Sequence, residues 1–260
     1  MRNNSEIINA ANGEFWIPEL VIHRIQSFLS GKEAIQTSIL SKSWYNAWLT
    51  RPNLDFNQYD YRRHCGVKRF LEFAKKTIQR YGESNLIIES FRLSMDRRER
   101  DDCMLGDELI ARALKLGATE LYVSICLNLG ARHFLTTNAW ELRNLRLLQL
   151  EYSNIDPLFA DGSSCEFPCL KVLTLRRCLS EKGIIRISSP SLECVSFARI
   201  AISRATLDVP NIRKFTFLGR KTLPSLDFES IAPMDWVSDL SIVFGEFTLR
   251  HHGSSSWKSF

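Results

Sequence analysis

The sequence predicts an α/β protein in which a small helical module precedes a solenoid of stacked repeats with a curved parallel sheet. Two patterns lead to this fold class. Residues 17–48 hold three successive apolar patterns with helical spacing. An apolar-x-apolar phrase typical of short strands then recurs at intervals of 20 to 30 residues between positions 91 and 242. Such recurrence is expected of units that bury their apolar side chains only against neighbouring units.

The first helix is predicted to start at Pro18, because the first turn of a helix tolerates proline. Polar residues of this helix, including Gln26, occupy the face opposite the apolar one. The apolar face recurs at helical spacing and consists of Val21, Ile22, Ile25, Phe28 and Leu29. This pattern predicts one amphipathic helix.

The second and third helices are predicted from their caps. Ser30 and Glu33 have the spacing of a capping box, and Ser41 suits the N-cap of a third helix. Trp44 and Trp48 stand one turn apart in that helix, which ends at the sequence TRPN because proline restricts the residue before it. The buried stripe of the second helix is predicted to be Ala34, Ile35, Ser38 and Ile39.

A module of about 35 residues buries little apolar surface by itself. Its apolar side chains either bind a partner or face the rest of this chain, and the pattern alone leaves both interpretations open.

Residues 17–56, IPELVIHRIQSFLSGKEAIQTSILSKSWYNAWLTRPNLDF, resemble the F-box of plant F-box/leucine-rich-repeat (LRR) proteins, some of which continue into a module called FBD. The resemblance rests on the Ile17-Pro18 start, the Ile-x-x-Phe-Leu element that begins at Ile25, and the stretch LSKSWYNAW. The sequence departs from the family pattern in its leading isoleucine and in Ser30-Gly31, where many relatives have a proline.

The resemblance implies docking onto the Skp-type adaptor of a Skp–cullin–F-box ubiquitin ligase, and through it contact with a cullin. The positions that would form or support the docking surface are Ile17, Pro18, Ile22, Ile25, Leu29, Leu40 and Trp44. We expect Trp44 to hold the helices together and Trp48 to pack against the segment that comes after the F-box.

The rest of the chain carries the strand phrases, preceded and interrupted by two predicted amphipathic helices. The helices are indicated by Phe70, Phe73, Ala74, Ile78 and Tyr81, and by Leu109, Ile110, Ala113 and Leu114. The phrases begin at Phe91, Leu121, Leu148, Leu173, Val195, Phe215 and Leu240. The spacing brackets that of leucine-rich repeats and favours a solenoid over an ordinary α/β domain.

Side chains alternate across a strand, so the two apolar members of each phrase should point inward while the residues between and beside them line the exposed face. This face is the predicted target-binding surface and includes Arg92, Tyr122, Gln149, Glu151, Thr174, Arg176, Ser196, Arg199 and Thr216.

The predicted organisation is a flexible N-terminus (1–14), an F-box (15–56), a helical bridge (57–85), leucine-rich repeats (86–248) and a polar tail (249–260). Relatives often continue into further repeats and the FBD module, so this chain is expected to be either a truncated member or a complete compact receptor. The region beyond about residue 225 is expected to be the least stable part of the repeats. No polar segment is predicted to cover the apolar residues of this region. They are Val237, Leu240, Ile242, Phe244 and Phe247.

Composition and motifs favour a non-catalytic protein without a cofactor or metal. The chain of 260 residues is 45% hydrophobic with a net charge of +5, and its basic pairs are mixed with acids, which argues against a nucleic-acid site. Its seven cysteines lack disulfide or zinc spacing. Signal-peptide and membrane-span patterns are absent from the sequence, so we expect a cytoplasmic or nuclear location, or both.

The sequence contains no nucleophile elbow, phosphate loop or metalloprotease motif, and the adjacent His251 and His252 are expected to face solvent. The favoured function is a substrate receptor. The alternatives are an adaptor-binding protein that delivers no substrate and, less favoured, a small-molecule sensor, because seven strands would not curve far enough to enclose a ligand.

Overall fold

The computed structural model describes residues 17–61, 66–97, 100–127, 133–134, 139–160, 166–219, 224–229, 239–244 and 247–251. For residues 239–244 and 247–251 the description covers the backbone alone. The chain divides into two compact units, Met1–Arg51 and Pro52–Phe260.

The first unit contains three short helices, α1 (Glu19–Ser27), α2 (Gly31–Thr37) and α3 (Lys42–Thr50). The starts of α2 and α3 agree with the predicted caps, and Pro18 directly precedes α1. The Ser30 hydroxyl accepts a hydrogen bond from the Glu33 N–H while the Glu33 carboxylate accepts one from the Ser30 N–H, which completes a capping box. Ser41 caps α3 by accepting from the Trp44 N–H.

Two predictions about buried faces in this unit are wrong. Ile39 does not complete the buried stripe of the second helix, because α2 ends at Thr37 and leaves Ile39 exposed. Gln26 does not face solvent, because its side chain is fully buried and donates hydrogen bonds inside the unit. Helical spacing predicts which residues share a face, but it does not predict where the next helix packs.

We expect Ser30→Ala to lower the free energy of unfolding of the first unit by about 1 kcal/mol, because an N-cap hydroxyl is lost. Hydrogen bonds from the Ser30 N–H and then from its hydroxyl lower the pKa of Glu33 from 4.5. The ionised carboxylate therefore stabilises the folded unit above the unfolded pKa, and this stabilisation is lost as the pH falls through the folded pKa.

Urea denaturation and an NMR titration of Glu33 test this expectation. In Ser30→Ala the pKa of Glu33 should rise but remain below 4.5, since the N–H of residue 30 still donates. Ser43→Ala, at an exposed position inside α3, serves as the control. A pKa of Glu33 that is the same in Ser30→Ala and the wild type would contradict the assigned cause.

The second unit is built mainly from strands. Its helices are α4 (Gln58–Tyr61), α5 (Val67–Glu83), α6 (Arg100–Lys115) and α7 (Asp156–Phe159), with a 3-10 helix at Ala139–Leu142. Its strands are β1 (Asn53–Asn57), β2 (Ser90–Arg97), β3 (Glu120–Leu127), β4 (His133–Phe134), β5 (Leu147–Glu151), β6 (Ser153–Asn154), β7 (Val172–Arg176), β8 (Ile184–Ser188), β9 (Cys194–Ala198), β10 (Arg204–Asp208), β11 (Lys214–Gly219), β12 (Ser225–Phe228), β13 (Asp239–Phe244) and β14 (Phe247–His251).

The described strands form one large sheet and two small ones. The large sheet has nine strands in the order β1-β2-β3-β5-β7-β9-β11-β13-β14. Its neighbours are parallel except β13 and β14, which pair antiparallel. From β7 to β13 the chain alternates between this sheet and a parallel three-stranded sheet of order β12-β10-β8, so each repeat from β7 to β12 contributes one strand to each sheet.

The apolar members of the predicted strand phrases form much of the core of the second unit. Both apolar members of each phrase from Phe91 to Phe217 are buried, and the residue between them is at least partly exposed. On the other side the small sheet contributes Ile185, Ile187, Ala205 and Leu207. The two predicted amphipathic helices are present as α5 and α6 and add Phe70, Tyr81 and Leu109, among others, to the same core. The Leu240–Ile242 phrase forms part of β13, but its side chains lie outside the described residues, as do those of Val237, Phe244 and Phe247.

Two of the predicted segment limits fall inside strands. Asn53–Asn57 contains the predicted end of the F-box segment, but it pairs with β2 as a strand of the large sheet, and the first compact unit ends at Arg51. Leu54 and Phe56 are buried in the core of the second unit. The limit between residues 248 and 249 falls within β14.

A left-handed residue comes directly after each of the strands β5, β7 and β9. These residues are Tyr152, Arg177 and Arg199, with φ of 59°, 50° and 53°. The N–H of each donates to a carbonyl at the end of the next strand of the large sheet, at N···O distances of 3.1, 2.7 and 2.7 Å. The carboxyl ends of these strands therefore repeat one backbone geometry.

Candidate interaction surfaces

The first unit exposes an unusual amount of apolar side chain for its size. Leu20, Phe28, Ile39 and Leu40 are 83%, 72%, 86% and 63% exposed. The buried apolar residues described in this unit are Ile22, Ala34 and Ala47. Several large exposed apolar side chains on so small a unit are typical of an interaction site.

The residues predicted to contact an adaptor separate into three groups. Pro18, Ile25 and Leu40 are exposed and accessible to a partner. Ile17, Leu29 and Trp44 are half-buried. Ile22 is only 2% exposed, so it is not accessible to a partner in this conformation.

The structure adds three exposed apolar residues that the sequence reasoning left out of this surface. Leu20 lies in the first turn of α1, outside the apolar stripe. Phe28 is predicted on the apolar face of the first helix and Ile39 in the buried stripe of the second, but each comes after the end of its helix. The Arg24 guanidinium lies 4.6 Å from the centre of the Phe28 ring. Recognising Ser27 and Thr37 as the last helical residues would have indicated both positions.

Buried polar side chains hold the three helices in place. The Gln26 amide donates to the Thr37 hydroxyl and to the Trp44 carbonyl, each at 3.1 Å, and thereby connects α1 with α2 and α3. Arg51 donates to the carbonyls of Leu29 at 2.9 Å and Ser30 at 3.4 Å. Short apolar side chains alone would hold these helices weakly, so the hydrogen bonds help to specify their arrangement.

The second surface is the exposed face of the large sheet. Strand register places most of the predicted target-binding residues in one row across the strands, and this row also includes Asp55 and Ser241. The predicted residues in the row are Arg92, Tyr122, Gln149, Thr174, Ser196 and Thr216.

The remaining predicted residues lie toward the carboxyl ends of the strands. Glu151 and Arg176 are register partners in a second row, two residues further along. Arg199 lies one residue beyond β9, at the left-handed position, and is exposed. The face therefore has a central row of mixed polar residues and a carboxyl-end edge that is rich in arginine.

Charge and aromatic contacts order part of this face. The Arg92 guanidinium lies 4.4 Å from the centre of the Tyr122 ring. Burial raises the pKa of the Tyr122 hydroxyl, the Glu120 carboxylate raises it further, and Arg92 opposes both effects. The Glu151 carboxylate lies 3.5 Å from Arg177 and 3.4 Å from the Ser124 hydroxyl.

Within the described residues, no group of three or more His, Cys, Asp or Glu side chains is placed to hold a metal ion. None of the helices in that part of the chain is long and apolar enough to cross a membrane. His251 and His252 have no described side chains. The candidate interaction surfaces among the described residues are the exposed apolar side chains of the first unit and the exposed face of the large sheet.

Comparison with known proteins finds similar plant proteins. The chain is 28% identical over 165 residues to an F-box/FBD/LRR-repeat protein of Arabidopsis thaliana, a match that covers 62% of this chain and 35% of that protein. A second F-box/FBD/LRR-repeat protein of that plant is 31% identical over 206 residues, covering 68% of this chain and 44% of the relative. An Arabidopsis F-box/LRR-repeat protein is 27% identical over 188 residues, covering 68% and 55%.

No family model matches the sequence, and no solved structure matches the chain. The chain spans 35% and 44% of the lengths of the two F-box/FBD/LRR-repeat relatives. Several such relatives nevertheless match over much of this sequence, in agreement with the motifs at residues 17–56. The chain is therefore similar, over much of its length, to plant F-box/LRR-type proteins.

Proposed function

We propose that this chain is the substrate-recognition subunit of a Skp–cullin–F-box ubiquitin ligase. In this proposal α1–α3 form the F-box and dock a Skp-type adaptor, and β2 to β13 form a leucine-rich-repeat solenoid whose exposed face binds a target protein. The observation that carries the proposal is the exposed apolar surface on a three-helix unit whose sequence has the F-box pattern.

The exposed side chains suit docking. Leu20, Ile39 and Leu40 lie at or beyond helix ends with most of their apolar surface in water, so a partner that covers them gains the free energy of apolar burial. Residues of this kind supply most of the binding free energy at protein interfaces when they enter a pocket on the partner. The buried Gln26 and Arg51 keep the surface preorganised.

The sheet face suits a protein or peptide target. Seven strands about 4.8 Å apart make a surface roughly 30 Å across, comparable with a standard interface. In this proposal the chain is not itself catalytic. Other subunits transfer ubiquitin, and this chain raises the effective concentration of the target near them.

An adaptor-binding measurement with purified full chain tests the proposal. Leu20→Asp and Leu40→Asp should each weaken binding of the Skp-type adaptor about thirtyfold, equivalent to about 2 kcal/mol, because a charge replaces an apolar anchor. The matched control is Ile87→Asp, since Ile87 is 68% exposed but belongs to the second unit.

Both variants should keep the far-ultraviolet circular dichroism of the wild type, because the replaced side chains are exposed. Wild-type adaptor binding by both folded variants would contradict the proposal. Affinity purification with the proteasome blocked provides the second arm. The same targets should accumulate on wild type and on Leu40→Asp, but only those held by the wild type should carry ubiquitin.

A further inference from the structure

The carboxyl ends of β7 and β9 concentrate positive charge at one edge of the large sheet. We name Arg176, Arg177 and Arg199 the arginine edge. Arg176 closes β7, and Arg177 and Arg199 occupy the left-handed positions after β7 and β9. The three arginines therefore lie at the carboxyl ends of two adjacent strands, whose spacing is about 4.8 Å.

The backbone keeps the edge in register. The Arg177 N–H donates to the Ala198 carbonyl and the Arg199 N–H donates to the Leu218 carbonyl, both at 2.7 Å. Arg177 also lies 5.2 Å from the centre of the Tyr152 ring. Since the two left-handed positions have the same backbone hydrogen bonding, the fold places Arg177 and Arg199 equivalently at the ends of neighbouring strands.

Carboxylates of this chain neutralise only part of the edge. Glu151 lies 3.5 Å from Arg177 and is shared with the Ser124 hydroxyl. Arg176 and Arg199 are exposed, and no carboxylate in the described parts of the chain lies within ion-pair distance of either. Three arginines and one glutamate leave a local excess of two positive charges.

The nearest acids further along the sequence are engaged elsewhere. Asp156 accepts hydrogen bonds from the Ser180 hydroxyl and from the Glu181 N–H. The Glu181 carboxylate accepts from the Asn154 amide at 3.1 Å. These contacts tie the Asp156 carboxylate at the start of α7 and the Glu181 carboxylate in the loop after β7 to neighbouring groups.

Short side chains line the face next to the arginine edge. Thr174, Ser196 and Thr216 are register partners on β7, β9 and β11, and Ala198 lies further along β9. None of these side chains extends as far as an arginine, so they form a low shelf beside the edge. The shelf is about 10 Å long from β7 to β11, which matches about three residues of extended peptide.

We propose that the arginine edge and its shelf bind an extended segment of the target protein that carries aspartate or glutamate side chains. Guanidinium groups bind carboxylates through paired, charge-assisted hydrogen bonds, and the excess positive charge favours an acidic segment over a neutral one. The inference rests on the proposed function for the identity of the bound protein as a ligase target. The charge and the geometry of the edge do not depend on it.

Fluorescence anisotropy with purified full chain tests the proposal. The probes are a fluorescein-labelled peptide of alternating Glu and Ser, the same peptide with Gln in place of Glu, and a labelled oligothymidylate. We expect the Glu peptide to bind at least about tenfold more tightly than the Gln peptide, with an affinity that falls as salt is raised. Arg176→Gln and Arg199→Gln should each weaken Glu-peptide binding about tenfold.

Arg213→Gln is the matched control. Arg213 precedes β11 at the opposite end of the strands and lies 3.9 Å from Glu193, so its loss should change peptide affinity less than about twofold. A double variant, Arg176→Glu with Arg199→Glu, should instead prefer a Lys–Ser peptide. Arginine and glutamate are both accepted at exposed positions, so the fold should be retained.

Equal binding of the Glu and Gln peptides, or unchanged affinity in the two Arg→Gln variants, would overturn the proposal. Equally tight oligothymidylate binding with the same arginine dependence would also overturn it, in favour of a general polyanion site. The Arg→Gln variants should bind the Skp-type adaptor as the wild type does. If the wild-type chain does not bind the Skp-type adaptor, the proposed function is contradicted. The peptide measurement still decides whether the arginine edge prefers acidic segments.

Discussion

Phe197→Ala is expected to lower the free energy of unfolding of the second unit by about 3–5 kcal/mol, and Leu173→Ala by about 2–5 kcal/mol. Both side chains are fully buried between the large sheet and the elements packed on it. Phe197 also packs edge-on against Phe215, with 5.6 Å between ring centres, so its removal leaves a cavity and breaks an aromatic contact. Urea denaturation monitored by far-ultraviolet circular dichroism measures the effect.

The neighbouring polar positions supply the controls. Thr174 and Ser196 sit between buried residues of the same strands but are partly exposed. Their replacement by alanine should change the free energy of unfolding by no more than about 0.5 kcal/mol. If the two polar substitutions proved more damaging than the apolar ones, the assignment of the exposed face would be wrong, and the proposed target surface with it.

Arg51→Ala is expected to destabilise the first unit by about 3 kcal/mol. The side chain is only 5% exposed, and its guanidinium donates to the carbonyls of Leu29 and Ser30, where α1 ends and α2 begins. Hydrogen bonds from a buried charged donor are stronger than neutral ones. Without Arg51 the Leu29 carbonyl loses this donor, while the Ser30 carbonyl keeps the hydrogen bond from the Ala34 N–H. Hydrogen exchange of the α1 and α2 amides provides the measurement.

Lys42→Ala is the matched control for Arg51, because Lys42 is a basic residue of the same unit but is exposed. We expect almost no change in its exchange rates. Arg51→Lys should recover part of the lost stability, since lysine can donate to one of the two carbonyls. Equal exchange in Arg51→Ala and the wild type would show that these hydrogen bonds do not stabilise the unit.

Local chemistry made much of the fold predictable from the sequence. The caps at Ser30 and Ser41 satisfy backbone groups within one turn, so the residues that form them reveal the starts of α2 and α3. Alternation along a strand is equally local, and it located the buried and exposed members of the phrases from Phe91 to Phe217. Most of the predicted sheet-face residues consequently lie in one register row.

Other strands had the same signal but were missed. Leu54-Asp55-Phe56 is an apolar-x-apolar phrase, as are Ile185-Arg186-Ile187 and Ala205-Thr206-Leu207. The first adds β1 to the large sheet, and the other two form neighbouring strands of the small sheet. A phrase in the sequence indicates a strand, but it does not state which sheet the strand joins, because pairing is a long-range choice.

By itself the sequence determined the helix caps, the repeated strand phrase and the alternation of buried and exposed residues, because each depends on neighbours a few residues away. Only the tertiary structure decided that Gln26 is buried among three helices while Ile39 is exposed. It also decided that Arg177 and Arg199 adopt equivalent left-handed positions beside Arg176. Those outcomes depend on how elements distant in sequence pack and pair, and a local pattern carries no information about the element that arrives opposite it.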